Sequence, residues 1–143
     1  MSTEVNRAVV RRLMNEAYTN PGVHDELVAE DYVGHFPPNP TLHGPEGLKR
    51  FNAQAVTAFP DVHASIEDLV AEGDEVVVRW TLRGTHEGEL RGGIPATGRR
   101  VEVSGITISR IRDGRLVENW GNYDLLGMLQ QLGAIPAPDS STG

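Results

Sequence analysis

The sequence predicts an α+β fold: a cone-shaped, curved antiparallel sheet packed against N-terminal helices and closed by a C-terminal helix. Helical periodicity is confined to the segment before Pro60 and to a short run after Asp124. Between them lie runs with strand character at 62–71, 75–85, 100–112 and 115–121. The turn sequences Glu72-Gly73-Asp74 and Asp113-Gly114 join these runs in pairs, the latter being a strong hairpin signal between strand-like neighbours. Helices followed by a meander and a closing helix put the helices on one side of the sheet.

Residues 3–18 read as an amphipathic helix, with Val5, Val9, Leu13, Met14 and Ala17 near helical spacing and Arg7, Arg11, Arg12 and Glu16 elsewhere. Asn20-Pro21-Gly22 breaks it. Residues 23–29 suit a short second helix, and Asp31 to Phe36 a short strand ended by Pro37-Pro38-Asn39-Pro40. Gly44-Pro45-Glu46 opens a third helix, because proline is tolerated in the first turn, where its missing N–H has no helical partner to lose. Leu48, Phe51, Ala55 and Phe59 give that helix its apolar stripe, and Pro60-Asp61 ends it. The four strands follow, interrupted by a glycine-rich loop from Gly84 to Gly98. Asp124 then precedes Leu125, Met128, Leu129 and Leu132 at helical spacing, stopped by Gly133 and Pro136. Residues 1–135 are expected to form one domain, and 136–143 a flexible tail.

At 143 residues the chain is long enough to bury a core without disulfides. It has no cysteine, which excludes disulfides, thiolate zinc sites and cysteine nucleophiles. A formal net charge of -7 argues against a nucleic-acid partner, which needs a basic face. No early apolar run reaches the length of a signal peptide or a membrane span, so a soluble, cytoplasmic protein without a membrane partner is expected. There is no serine nucleophile elbow, phosphate-binding glycine loop or dinucleotide fingerprint. The five histidines show neither His-x-x-x-His spacing nor a histidine–carboxylate cluster, so no metal site is expected. His24, His43 and His63 form no pattern.

Strand parity adds a partner. Val101, Val103, Gly105, Thr107, Ser109 and Ile111 share one face of their strand, and Glu102, Ser104, Ile106, Ile108, Arg110 and Arg112 the other. Apolar residues on both faces suit a cavity beneath the helices and a homodimer through the outer side of the sheet.

Four segments carry a family resemblance: Gly84-Thr85-His86-Glu87-Gly88, Gly93-Ile94-Pro95-Ala96-Thr97-Gly98, Arg110 to Trp120, and Asp124 to Gly133 with Gln130-Gln131-Leu132-Gly133. Together they resemble the SnoaL-like polyketide cyclases, within the nuclear-transport-factor-2-like superfamily, over nearly the whole chain. The resemblance implies a cone fold, a small-molecule pocket, a homodimer, and no metal or organic cofactor. It also implies ring closure by intramolecular aldol condensation, with an aspartate as acid/base and a supporting histidine. Matching through Arg110, Asp113-Gly114 and Leu132-Gly133 carries that aspartate onto Gly121 and the histidine onto Thr107, so both acid/base side chains are missing here.

The residues themselves offer other candidates. Asp124 is a candidate acid/base, since a carboxylate near a pocket among Trp120 and Tyr123 can have a raised pKa. Asp before a helix is equally a good N-cap. His35 is the second catalytic candidate, because imidazole titrates near neutrality; the alternative is a partly buried histidine bonded to the backbone. Asn119, Thr107, Tyr123, Trp80 and His86 are the ligand-binding candidates, His86 with an alternative role in bracing its loop. Two functions follow. One is a cofactor-independent cyclase or isomerase moving protons next to a carbonyl of a hydrophobic, polyketide-like metabolite. The other is a non-catalytic binding or accessory protein, or a hydroxylation partner, on the same cone. A cavity receiving both a carboxylate and an imidazole favours the first, and one lined only by apolar and hydroxyl groups favours binding.

Overall fold

A computed structural model describes residues 2–138. Helix α1 (Thr3–Glu16) starts at Ser2, whose Oγ accepts the Val5 N–H at 3.2 Å. Helix α2 (Gly22–Leu27) leads directly into strand β1 (Val28–His35). After the two-residue strand β2 (Leu42–His43) comes helix α3 (Gly44–Ala58), with Pro45 in its first turn. Strands β3 (His63–Glu72), β4 (Glu75–Thr85), β5 (Arg100–Arg112) and β6 (Arg115–Tyr123) form the meander, and helix α4 (Leu125–Gln131) closes the chain.

The six strands form one curved, unclosed sheet in the order β2-β1-β6-β5-β4-β3. Pairing is antiparallel except between β1 and β6, which run parallel. The β5–β6 turn places Asp113 at φ 53 and Gly114 at φ 75, the backbone that Asp-Gly favours in a tight hairpin. Helix α3 packs against β1, and α1 against β3 and β4.

Four elements differ from the expectation. Strand β1 begins at Val28 rather than Asp31, because Val28 is extended (φ -109, ψ 130) and pairs with Leu116 across the sheet. The preceding helix is shortened accordingly. Strand β2 is too short to show any alternation. Strand β6 runs on to Tyr123. The expected tail at 136–143 is described only through residue 138, so residues 139–143 lie outside the described residues.

Two apolar clusters hold the layers together. One joins Val9 and Val10 of α1, Val23 and Leu27 of α2, and Val28 and Tyr32 of β1 to Val76, Val78, Ile111 and Leu116 of the sheet. The other joins Ala58, Phe59 and Val62 to Val101, Val103, Met128 and Leu132. Each fully buried aliphatic side chain here contributes about 1.5–3 kcal/mol of transfer free energy. Among the described residues, no helix is long and apolar enough to cross a membrane.

Candidate active site

Members of both clusters line a cavity of about 250 Å³ between the concave face of the sheet and helices α1 and α3. Alternation along the strands aims Val78, Trp80 and Leu82 of β4 and Val103, Thr107 and Ser109 of β5 into it, as parity predicts. Strand β6 supplies Asn119 and Tyr123, and also Leu116, which parity assigns to the opposite face. An irregularity in the β5–β6 pairing explains the change: Arg110 faces Glu118 but Ile111 faces Leu116. One extra residue on β6 reverses the side-chain direction beyond it.

The polar groups that the sheet contributes to the cavity are neutral and mostly held in place. The Tyr32 hydroxyl, itself buried, donates to Asn119 Oδ1 at 2.6 Å. The amide nitrogen of Asn119 then has no hydrogen-bond partner among the described residues, and neither does the Ser109 hydroxyl across the ladder from it. Trp80 Nε1–H donates to Thr107 Oγ1 at 2.9 Å, which leaves the Thr107 hydroxyl proton free to donate in turn. Asn39 Nδ2 donates to the Tyr123 hydroxyl at 3.2 Å. Burial pushes the Tyr18 phenol up to about 12. Burial likewise drives Tyr32 well above the ordinary phenol range, against the opposing pull of its Asn119 bond. Tyr32 is therefore a neutral donor at any physiological pH.

Sequence-predicted residues divide cleanly. Asn119, Thr107, Tyr123 and Trp80 line the cavity together. His35, Asp124 and His86 do not line it. His35 alternates with Tyr32 and Phe36, so it projects from the convex side, where Nε2 lies 2.9 Å from Glu118 Oε2 and the ring stacks on Trp120 at 5.7 Å. Asp124 is exposed and caps α4, its Oδ1 accepting the Gly127 N–H at 2.9 Å. The two acid/base candidates thus do not converge on the cavity. His86 is buried behind Phe59, with its Nδ1 accepting the Thr97 N–H at 3.2 Å, so it ties down the two ends of the loop after β4.

The positions onto which the resemblance carries the acid/base pair do face the cavity side. Thr107 and Gly121 are ladder partners. Gly121 is not empty space, however: a Cβ added there would lie 2.4 Å from Phe36 Cε1. The Phe36 ring covers the place where a side chain at 121 would begin. Among the described residues, no Asp, Glu, His or Lys lines the cavity. Among the described residues, no group of three His, Cys, Asp or Glu side chains converges as a metal site.

Sequence reasoning missed the polar residues on the helical and loop side: Asn39, Asn52, Gln54 and Arg91. Asn52 had a signal, because it interrupts the apolar stripe of α3 between Leu48 and Ala55. Its Nδ2 donates to His24 Nε2 at 2.9 Å, and His24 Nδ1 donates to the Pro21 carbonyl at 2.8 Å. The buried His24 thereby sets the amide orientation, and the Asn52 carbonyl oxygen is left without a partner among the described residues.

The profile of the SnoaL-like polyketide cyclases matches residues 8–132. Aklanonic acid methyl ester cyclase DnrD of Streptomyces peucetius is 37% identical over 151 residues, covering 97% of this chain and 97% of that protein. Aklanonic acid methyl ester cyclase DauD of Streptomyces sp. (strain C5) is 36% identical, covering 97% of this chain and 88% of the relative. Among solved structures, TsrD from Streptomyces laurentii superposes with a TM-score of 0.81 at 32% identity, covering 94% of this chain and 99% of that one.

Proposed function

The chain belongs to the SnoaL-like polyketide cyclase family, and we propose that it is a cyclase or isomerase acting on a polyketide-like, hydrophobic carbonyl compound. The observation that carries this reading is the whole-chain likeness to two ester cyclases; the cavity adds aromatic and aliphatic walls around a sheet-borne cluster of neutral donors, Asn119 Nδ2, the Thr107 hydroxyl and the Ser109 hydroxyl. An apolar pocket with a few convergent polar groups suits a planar, oxygenated ligand. In an intramolecular aldol closure, a carbon next to one carbonyl loses a proton and bonds to the carbon of a second carbonyl, whose oxygen gains a proton. The step is redox-neutral and needs no co-reactant. Preorganised donors aimed at the developing oxyanion are the protein's contribution, and removing one such donor typically costs about 10²–10³ in rate.

In this proposal the chemistry needs neither metal nor organic cofactor and takes place in the cytoplasm. The protein acts as a homodimer joined through the convex side of the sheet, where Ile106 is 50% and Ile108 37% exposed. A second reading, a binding protein without turnover, draws on the lack of carboxylate or imidazole among the lining residues.

The test is turnover of aklanonic acid methyl ester, the compound named for two relatives, followed by absorbance and chromatographic retention because ring closure leaves the mass unchanged. Turnover by the native chain that falls about 10²-fold or more in Asn119→Leu, and persists in Asp124→Asn and His35→Ala, supports the proposal. Turnover that dies in both of the latter variants and survives Asn119→Leu returns the acid/base role to Asp124 and His35. Saturable binding with no turnover selects the second reading.

A further inference from the structure

Among the described residues, the cavity wall contains a single Lys or Arg, Arg91, and no acidic residue. Arg91 belongs to the loop between β4 and β5, just after Leu90, which bridges to Ile94. Its guanidinium is oriented, not adrift. Nη1 donates to Asn39 Oδ1 at 3.0 Å, Nη2 donates to Gln54 Oε1, and the group lies 6.0 Å from the centre of the Phe51 ring. Phe51 in turn stacks on Phe36 at 5.1 Å. All of these partners are neutral, and no carboxylate among the described residues pairs with Arg91. What sets Arg91 apart is that two neutral amides hold its guanidinium in the wall of an apolar cavity, where it is placed to meet a negative group.

We propose that Arg91 is a specificity residue that binds an anionic oxygen of the ligand, carboxylate, enolate or phenolate, at the cavity mouth. The proposal rests on the pocket-binding reading above and deepens it. Two of the five guanidinium donors are engaged by Asn39 and Gln54, so the remaining N–H groups are available to a ligand oxygen. Phe36, Phe51 and Arg91 form a column along one wall, against which a planar polycycle can lie with its charged edge at the arginine. The ligand class is therefore an amphiphile: an apolar ring system inside, an anionic oxygen at the rim. Guanidinium suits this better than ammonium, because it stacks on an aromatic face while bonding in its own plane.

The probes are anthraquinone-2-carboxylate and its methyl ester, titrated against the full chain by calorimetry. The native protein is expected to bind the acid at least ~5-fold more tightly than the ester, as befits a solvent-accessible charge pair. Arg91→Met is expected to abolish that preference, so that acid and ester bind with equal affinity. Arg91→Lys is expected to keep part of it, and added salt to shrink it in the native chain. Equal affinities in the native protein, or an acid preference that survives in Arg91→Met, overturns the role of Arg91 and leaves the pocket reading standing. If neither compound binds, the pocket reading fails and this proposal fails with it.

Discussion

Asp124 illustrates how strongly the neighbours of a carboxylate decide its use. Its side chain accepts the Gly127 N–H, one of the orphan donors of a helix start, and it is exposed rather than enclosed. A carboxylate used this way serves α4, so Asp124→Ala is expected to lower stability by about 1 kcal/mol. Chemical denaturation measures that loss, and calorimetric titration of the same variant is expected to show unchanged ligand affinity. A large affinity loss without a stability loss would instead place Asp124 in the site. The capping role was legible beforehand, since Asp directly precedes the apolar run. The side of the sheet on which His35 lies was also legible: Tyr32, Gly34 and Phe36 share one parity and His35 the other. What could not be read was that Glu118, far along the chain, would stand 2.9 Å from that imidazole.

At the scale of the strands, the concave face is shaped by glycines that make room for aromatics. A Cβ on Gly34 would lie 2.0 Å from the Tyr32 hydroxyl, one on Gly105 2.3 Å from Trp80 Cζ2, and one on Gly121 2.4 Å from Phe36 Cε1. In each case the aromatic side chain lies over the backbone where a side chain would start, so the glycine is what lets the ring settle against the sheet. Gly105 and Trp80 are direct ladder partners, and the indole so placed reaches Thr107. Gly105→Ala is therefore expected to displace the indole, break the Trp80–Thr107 bond and cost about 1–3 kcal/mol by overpacking. The melting temperature and the polarity of Trp80 emission both report it. A variant as stable as the native chain, with unchanged emission, would show that the ring can yield freely. Alternation separated the two faces of β4 and β5, and the structure turns the face of Trp80 and Thr107 toward the cavity. Alternation failed on the first residues of β6, because the extra residue opposite Arg110 and Ile111 leaves no mark in composition, and Leu116 consequently points inward.

Over the whole molecule, the two sides of the sheet have opposite characters, and the difference bears on assembly. Helices α1 and α3 cover the concave side, whereas the convex side presents Ile106 and Ile108 beside an array of Trp120, Arg110, His35 and Glu118. That array is already internally matched: Arg110 lies 5.2 Å from the Trp120 ring, and Glu118 contacts both His35 and Arg110. Charges neutralised within one chain are not left facing like charges when a two-fold axis brings the same patch together, so the isoleucines can meet at modest electrostatic cost. The proposed dimer should accordingly persist at physiological ionic strength despite a net charge of -7 on each chain, because exposed charges further apart than about 8 Å are largely screened. Ile108→Lys places two like charges against each other near the axis and is expected to shift sedimentation equilibrium toward the monomer. Because Ile108 lies on the side away from the cavity, ligand affinity per chain should not change. A native chain that sediments as a monomer, or an Ile108→Lys chain that remains dimeric, would show that the convex side is not the interface and that its exposed isoleucines serve something else.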